Sequence, residues 1–323
     1  RYLTYMKKAL FLIIVLLTLL ILARIWWTVQ LSPISNEKDE KSITIVKGSS
    51  VEDIASLLKK ENLIRSSFLF KLLIKQKRLE DKIGSGTFKL SPNFSSEEII
   101  KVLIGVPTES WVTFLEGWRI EEMGEEISDK LKVKREKFLE VAKEGYMFPD
   151  TYLFAPDVTV ELIAKTMRDN FEKRFSQDLR SKILAQGITE EEGVILASIV
   201  EREARSDEAR RMVASILLKR LKIDMGLNAD ATLQYALGYQ ESEKSWWKRH
   251  LTREDKKIDS PYNTYLYRGL PPRAICNPGL SSLTAVANAD PKTPFLYYYH
   301  DSKGNSHYAK TLEEHNQNIA NNP

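Results

Sequence analysis

Cysteine is nearly absent: the chain has only Cys276, which excludes an intramolecular disulfide, and no Cys-x-x-Cys pair is present to grip a metal. Histidine is sparse too. Its four residues stand apart at 250, 300, 307 and 315, without the clustered spacing of a metal site, so neither metal nor cofactor is expected. An excess of one charge is also missing. Lys+Arg 48 against Asp+Glu 44 leaves +4, too mild a balance for a nucleic-acid partner. Long apolar runs are confined to one stretch, ALFLIIVLLTLLILA (9–23), continued past Arg24 by Ile25, Trp26 and Trp27. The remainder has the composition of a folded chain long enough to bury a full core and to form two domains.

The apolar stretch reaches the length needed to cross a bilayer if Arg24 snorkels and the Trp pair sits at the interface. No small-x-small cleavage site precedes the two Trp residues, so an uncleaved anchor is expected over a signal peptide. Lys7, Lys8 and Arg1 precede it, a lower bound on the N-terminal charge since the chain opens on Arg. The positive-inside rule then puts the N-terminus in the cytoplasm and everything after about residue 30 outside the membrane. LSPISNEKDEKS (31–42), polar with one Pro, reads as a tether.

From Ile43 the pattern turns to strand, Gly turn and helix. Ile43 and Ile45 alternate, Gly48 and Ser49 turn, and Val51, Ile54, Ala55, Leu57 and Leu58 follow at helical spacing. A second helix runs through Phe68 to Ile74, a short strand through Thr87 to Leu90, and a third helix starts at Ser95 with Glu98 three residues on, a capping-box pattern. This predicts a small α+β module. Its opening recurs, since Ile45, Gly48 and Ile54 have counterparts at equal spacing in Phe114, Gly117 and Met123, each followed or flanked by an acidic helix start. That pattern suggests a duplicated small unit, or two unrelated elements that agree at three positions. GYMFPDTYLF (145–154) is dense in aromatics, as carbohydrate grooves are, although a packed loop that pins two domains together fits it better. A long amphipathic helix is expected from about Val158 to Phe175.

ILASIVEREAR (195–205) carries the chemistry. On a wheel of about 100° per residue, Ile195, Leu196, Ala197, Ile199, Val200 and Ala204 share one arc, whereas Ser198, Glu201, Arg202 and Arg205 share the other. Glu203 falls inside the apolar arc. Burial there disfavours its charged form and moves its pKa toward the range a general acid needs, while Glu201 is expected on the polar face. By periodicity alone, a surface helix with one misplaced Glu, or a Glu paired to an Arg, fits as well.

Downstream stand GLNADATLQYALG (226–238), SPYNTYLYRGLPPRAICNPG (260–279) and TPFLYYYHDSKGNSHYAKTLEEHNQNI (293–319). With the SIVE-x-E helix, these strings resemble the endolytic murein transglycosylase family (MltG, or YceG-like), bitopic enzymes of bacterial cell-wall synthesis. The resemblance covers essentially the whole chain; YNTY, GLPP and NPG in this order are its specific part.

It implies an α+β fold with a single N-terminal transmembrane helix, a small LysM-like subdomain and a larger catalytic domain built on a lytic-transglycosylase-like helix. The implied division is a cytoplasmic N-terminus (1–8), an anchor (9–29), a linker (30–42), the LysM-like subdomain (43–106) and the YceG-like catalytic domain (107–323). The resemblance assigns the catalytic acid to Glu203 over Glu201, in agreement with the wheel. Asp230 and Thr232 of the D-x-T element, and Tyr262, Asn263, Thr264 and Tyr265 of YNTY, are expected to line the glycan cleft. Asn228, Ala231 and Tyr308 depart from the family's frequent Gln, Pro and Phe, and none is expected to touch the acid.

The implied activity is endolytic cleavage of nascent glycan to 1,6-anhydro-N-acetylmuramic acid ends, by one Glu acting as acid and then base, at the plasma membrane. Peptidoglycan strands are the expected partner, with peptidoglycan synthases as candidates. The alternatives are a hydrolytic muramidase using Asp230 or Asp150 as a second carboxylate, and a non-catalytic membrane-tethered scaffold.

Overall fold

The structure, a computed structural model, describes residues 2–131 and 133–322; Arg1, one of the N-terminal charges invoked above, lies outside them. Helices and short antiparallel strands mix in an α+β fold, divided into two compact units: Arg1–Trp111 with Leu153–Pro156, and Val112–Tyr152 with Asp157–Pro323.

The first unit begins with α1 (Tyr2–Leu31), which is long and apolar enough to cross a membrane. Leu12, Leu16 and Leu20 are more than half exposed along it, whereas Leu31 and the half-buried Trp27 pack onto the core of the unit. The two tryptophans therefore differ, because Trp26 remains 55% exposed. Next come β1 (Lys41–Ile45), α2 (Val51–Lys60), α3 (Ser67–Lys77), β2 (Gly86–Leu90) and α4 (Ser96–Leu103). β1 and β2 pair antiparallel with Ile43 opposite Phe88, so that alternate residues of both strands enter one core with Leu58, Phe70 and Leu103. Both capping boxes form, Ser50 with Asp53 and Ser95 with Glu98, and each satisfies N–H groups at a helix start. Gly86 has no substitute at the end of the pair: its φ is +137°, and a Cβ there would lie 2.1 Å from the Glu109 carbonyl oxygen.

The unit boundary cuts β3 (Ser110–Thr113) and β4 (Thr151–Phe154). The second unit continues with α5 (Ile120–Lys130), α6 (Arg135–Val141), α7 (Val160–Arg174), α8 (Gln177–Ala185), α9 (Glu190–Glu203) and α10 (Asp207–Lys222). It closes with α11 (Asp230–Leu237), α12 (Leu280–Ala287), β5 (Tyr297–His300), β6 (Ser306–Ala309) and α13 (Leu312–Asn321). α9 is its axis, packed by α8, α10, α11 and α12. The two strand-turn-helix elements matched in sequence share local geometry: Gly48 and Gly117 both take positive φ, and Ile54 and Met123 are both buried one turn into the helix. In the aromatic loop, Met147, Phe148 and Tyr152 are buried, and the Tyr152 hydroxyl donates to the Phe148 carbonyl at 2.8 Å.

The two-faced wheel does not hold for α9. Every residue from Gly193 to Val200 is buried, Ser198 included, because helices surround α9 on all sides. Ser198 satisfies its hydroxyl by donating to the Ile195 carbonyl at 2.7 Å and accepting from the Ile275 N–H at 3.0 Å. Glu201, expected on a polar face, keeps a side chain only 4% exposed.

Candidate active site

Glu203 is the last residue of α9; Ala204 turns to extended backbone (φ −137°, ψ 145°) and ends the helix. The helix starts on a Thr189–Glu192 capping box, so its length and phase are fixed from a well-held end.

What separates Glu201 from Glu203 is the company each keeps. Glu201 accepts from the Arg210 guanidinium at 3.0 Å and from the Gly279 N–H at 2.8 Å, a cation and a peptide dipole that match its charge. Glu203 has weaker partners. Its Oε1 accepts from the Ala231 N–H at a long 3.4 Å, and its Oε2 from the Tyr298 hydroxyl at 3.1 Å. Burial, and after it the nearby Asp230 charge, push Glu203 up to about 7; the Ala231 and Tyr298 hydrogen bonds and Arg220 pull the other way. At neutral pH it is therefore poised to give or take a proton.

One expectation about this environment is corrected. Ala231 stands where the family often has Pro, and it does touch the acid, through an N–H that proline lacks.

A cleft of about 550 Å3 opens at Glu203. Asp230, Tyr265 and Lys256 line it together with Glu203, and the Tyr265 hydroxyl donates to Asp230 Oδ1 at 2.5 Å. Tyr297, Tyr298 and Tyr299 of β5 and His315 of α13 form a further wall, on which Tyr297 and His315 stack with ring centres 5.4 Å apart. Arg220 reaches the cleft from α10, tethered to the Leu227 carbonyl at 2.6 Å and the Leu296 carbonyl at 2.7 Å.

Of the six residues expected to line the glycan cleft, Asp230 and Tyr265 are at this surface; the other four lie behind it. Thr232 and Thr264 are buried and share a hydroxyl hydrogen bond of 2.8 Å, while Thr264 Oγ1 also accepts from the Ala229 N–H at 3.0 Å. Asn263 is fully buried, its amide donating to the Lys256 carbonyl at 3.1 Å and the Ile258 carbonyl at 2.9 Å. Tyr262 packs on Tyr235 with ring centres 4.7 Å apart and the rings tilted by 44°. Thr264 thus ties the YNTY segment to the start of α11, where Asp230 and the Ala231 N–H face Glu203, while Asn263 holds the segment to the 256–258 turn and Tyr262 packs on α11 nearer its end. Asp150 is engaged elsewhere, by the Asn170 amide at 3.1 Å and Arg174 at 3.4 Å.

Sequence reasoning missed the β5 wall, Lys256 and Arg220. The run of three tyrosines in TPFLYYYH was the available signal, but a half-buried strand shows period two and these side chains alternate without a polar face. It also missed Glu144, a second buried carboxyl, which accepts from the Asn277 amide at 2.8 Å and the Ile120 N–H at 3.2 Å and is pushed up to about 8 by burial.

A poised carboxyl, Glu203, with Asp230 beside it in a tyrosine-walled cleft on an α+β frame, makes a site suited to acid–base chemistry on a polar, ring-bearing substrate. The sequence model of the YceG-like family matches residues 43–321. The endolytic murein transglycosylase of Bacillus subtilis is 32% identical over 316 residues, covering 87% of this chain and 85% of that protein. The endolytic murein transglycosylase of Streptococcus pneumoniae is 27% identical over 329 residues, covering 88% of this chain and 59% of that longer protein. A crystal structure of a YceG-like protein from Listeria monocytogenes superposes with a TM-score of 0.61 at 28% identity, covering 87% of this chain and 99% of the other. The chain belongs to the YceG-like family.

Proposed function

We propose that this chain is an endolytic murein transglycosylase that cuts peptidoglycan glycan strands with Glu203 as its one acid–base group. The observation that carries the reading is the contrast between the matched Glu201 and the poised Glu203, held at about 7 in a tyrosine-walled cleft. Protonated Glu203 gives its proton to the glycosidic oxygen as the C1–O bond breaks, so the leaving sugar departs with a free hydroxyl. The Glu203 carboxylate then takes the proton from the muramoyl 6-hydroxyl, whose oxygen bonds to C1. No water is consumed, the acid is regenerated, and the product ends in 1,6-anhydro-N-acetylmuramic acid. Tyrosine rings suit the apolar faces of sugars, and their hydroxyls suit the polar edges.

Asp230 lines the same cleft and supports a second reading, a hydrolytic muramidase with Asp230 as the second carboxylate. Mass analysis of digested strands separates the two: anhydro ends are expected, and reducing ends would replace the lyase by the hydrolase. α1 serves as an uncleaved anchor with a cytoplasmic N-terminus, and the segment 43–106 as a LysM-like module outside the membrane. Protease protection of a tag at the N-terminus, in sealed cells, tests that topology.

A further inference from the structure

We propose that Lys256 is a specificity-determining residue, which reads a carboxylate carried by the muramoyl substituent of the strand and so biases which strands are cut. The proposal rests on the glycan-cleaving reading above. Lys256 sits in a single 3-10 turn, Asp255–Lys257, that is held from three sides. Asp255 accepts from the Thr252 N–H at 2.7 Å and from the Lys248 ammonium at 2.7 Å, and the buried Asn263 amide grips the Lys256 carbonyl itself at 3.1 Å. The backbone that presents the side chain is thus fixed by the same YNTY residue that sequence had assigned to the cleft.

The side chain is half-buried and lines the cleft with Glu203 and Asp230, its ammonium 4.1 Å from the centre of the Tyr265 ring. Neighbouring cations are spoken for. Lys248 pairs with Asp255, Lys257 pairs with Glu254, and Arg220 is spent on two carbonyls. Among the described residues Lys256 has no carboxylate within ion-pair distance, and its ammonium lies over the Tyr265 ring face. A ring face orients an ammonium but leaves its three N–H donors free and its charge uncompensated. A cation so aimed into a cleft suits an anion on the substrate. The glycan backbone offers hydroxyls and neutral acetamides; its anions are carboxylates, on the stem peptide, or on the lactyl group of a muramic acid from which the peptide has been removed.

The test compares the full-length detergent-solubilised enzyme, Lys256→Met and Lys256→Arg on three soluble, lipid-free substrates. These are native strands, the same strands with carboxylates converted to methylamides, and strands stripped of stem peptides by an amidase to leave the lactyl carboxylate. Wild type is expected to favour native over amide-blocked strands by about three- to tenfold in kcat/KM, through KM and not kcat, as a partly exposed ion pair allows. Lys256→Met should bring that ratio close to one, and Lys256→Arg should restore most of it. Stripped strands cut as well as native ones show that Lys256 also accepts the lactyl carboxylate bared by the amidase; stripped strands cut as poorly as blocked ones show that it reads the stem peptide. The proposal is overturned if Lys256→Met keeps the wild-type ratio, or if wild type cuts native and blocked strands equally. Failure of wild type to cut any strand overturns instead the glycan-cleaving reading on which the proposal stands.

Discussion

Two glutamates two residues apart perform opposite physical tasks at the end of α9. Glu203→Gln keeps the size and hydrogen-bonding shape of the carboxyl but removes its proton, so cleavage should fall by about a hundredfold or more while the thermal midpoint holds. Glu201→Gln should do the reverse, costing about 3 kcal/mol of stability because the largely buried Arg210 loses its buried counter-charge and keeps only the exposed Asp207 at 3.4 Å. Turnover and thermal unfolding measured on both variants decide this, and activity lost only in Glu201→Gln would overturn the assignment. The neighbours of Glu203 give a finer prediction. The acid must be protonated in the free enzyme, so kcat/KM should fall as pH rises through about 7. Asp230→Asn removes a like charge, eases ionisation, and should move that fall to lower pH. Tyr298→Phe and Ala231→Pro each remove a donor that favours the carboxylate, and should move it to higher pH. Opposite displacements in pH–rate profiles are the check; a common displacement would point to a general structural change.

At the scale of elements, the NPG segment between the YNTY loop and α12 acts as a clamp. Asn277 accepts from the Gly145 N–H at 2.9 Å and the Met147 N–H at 3.0 Å, and donates to Glu144 at 2.8 Å and to the Trp118 carbonyl at 3.1 Å. The Gly145 backbone that it holds has φ +89°, and a Cβ there would come within 2.6 Å of Ala274 Cβ, so the turn is left to glycine. Asn277→Ala leaves several buried polar groups without partners and should cost about 3–5 kcal/mol, read as a drop in denaturant midpoint. Local signals announced much of the element level: the Ser50–Asp53 and Ser95–Glu98 boxes start α2 and α4, because a cap involves only neighbours in sequence. The YNTY segment was recognisable as a string, but its division of labour was not. Burial of Asn263 and Thr264, and exposure of Tyr265 to the cleft, depend on where α11 comes to lie.

Across the whole molecule, Glu144, which is buried, and Glu203, half-buried at the cleft, both bear on stability. Glu144 and Glu203 titrate at about 8 and about 7 in the folded chain, against an ordinary 4.5. Both are raised, so the folded state holds protons that the unfolded chain releases earlier. Their contribution is intact below pH 4.5 and is lost as pH climbs through 7 and then 8. Thermal stability should therefore decline from pH 5 to pH 8.5 by on the order of a few kcal/mol, and Glu144→Gln should remove the larger part of the decline. A flat profile in the wild type, measured by calorimetry across that range, would contradict the burial of Glu144.

The sequence by itself determined what depends on near neighbours: an apolar run long enough for a membrane, the helix starts, the strand-Gly-helix elements, and a Glu pair on one helix. Tertiary structure decided which Glu is poised. The Gly279 N–H that matches Glu201 lies 78 residues away in the chain, and the Tyr298 hydroxyl that meets Glu203 lies 95 residues away. Charge compensation acts through space over a few ångströms, and helical periodicity says nothing about which distant groups fill that space.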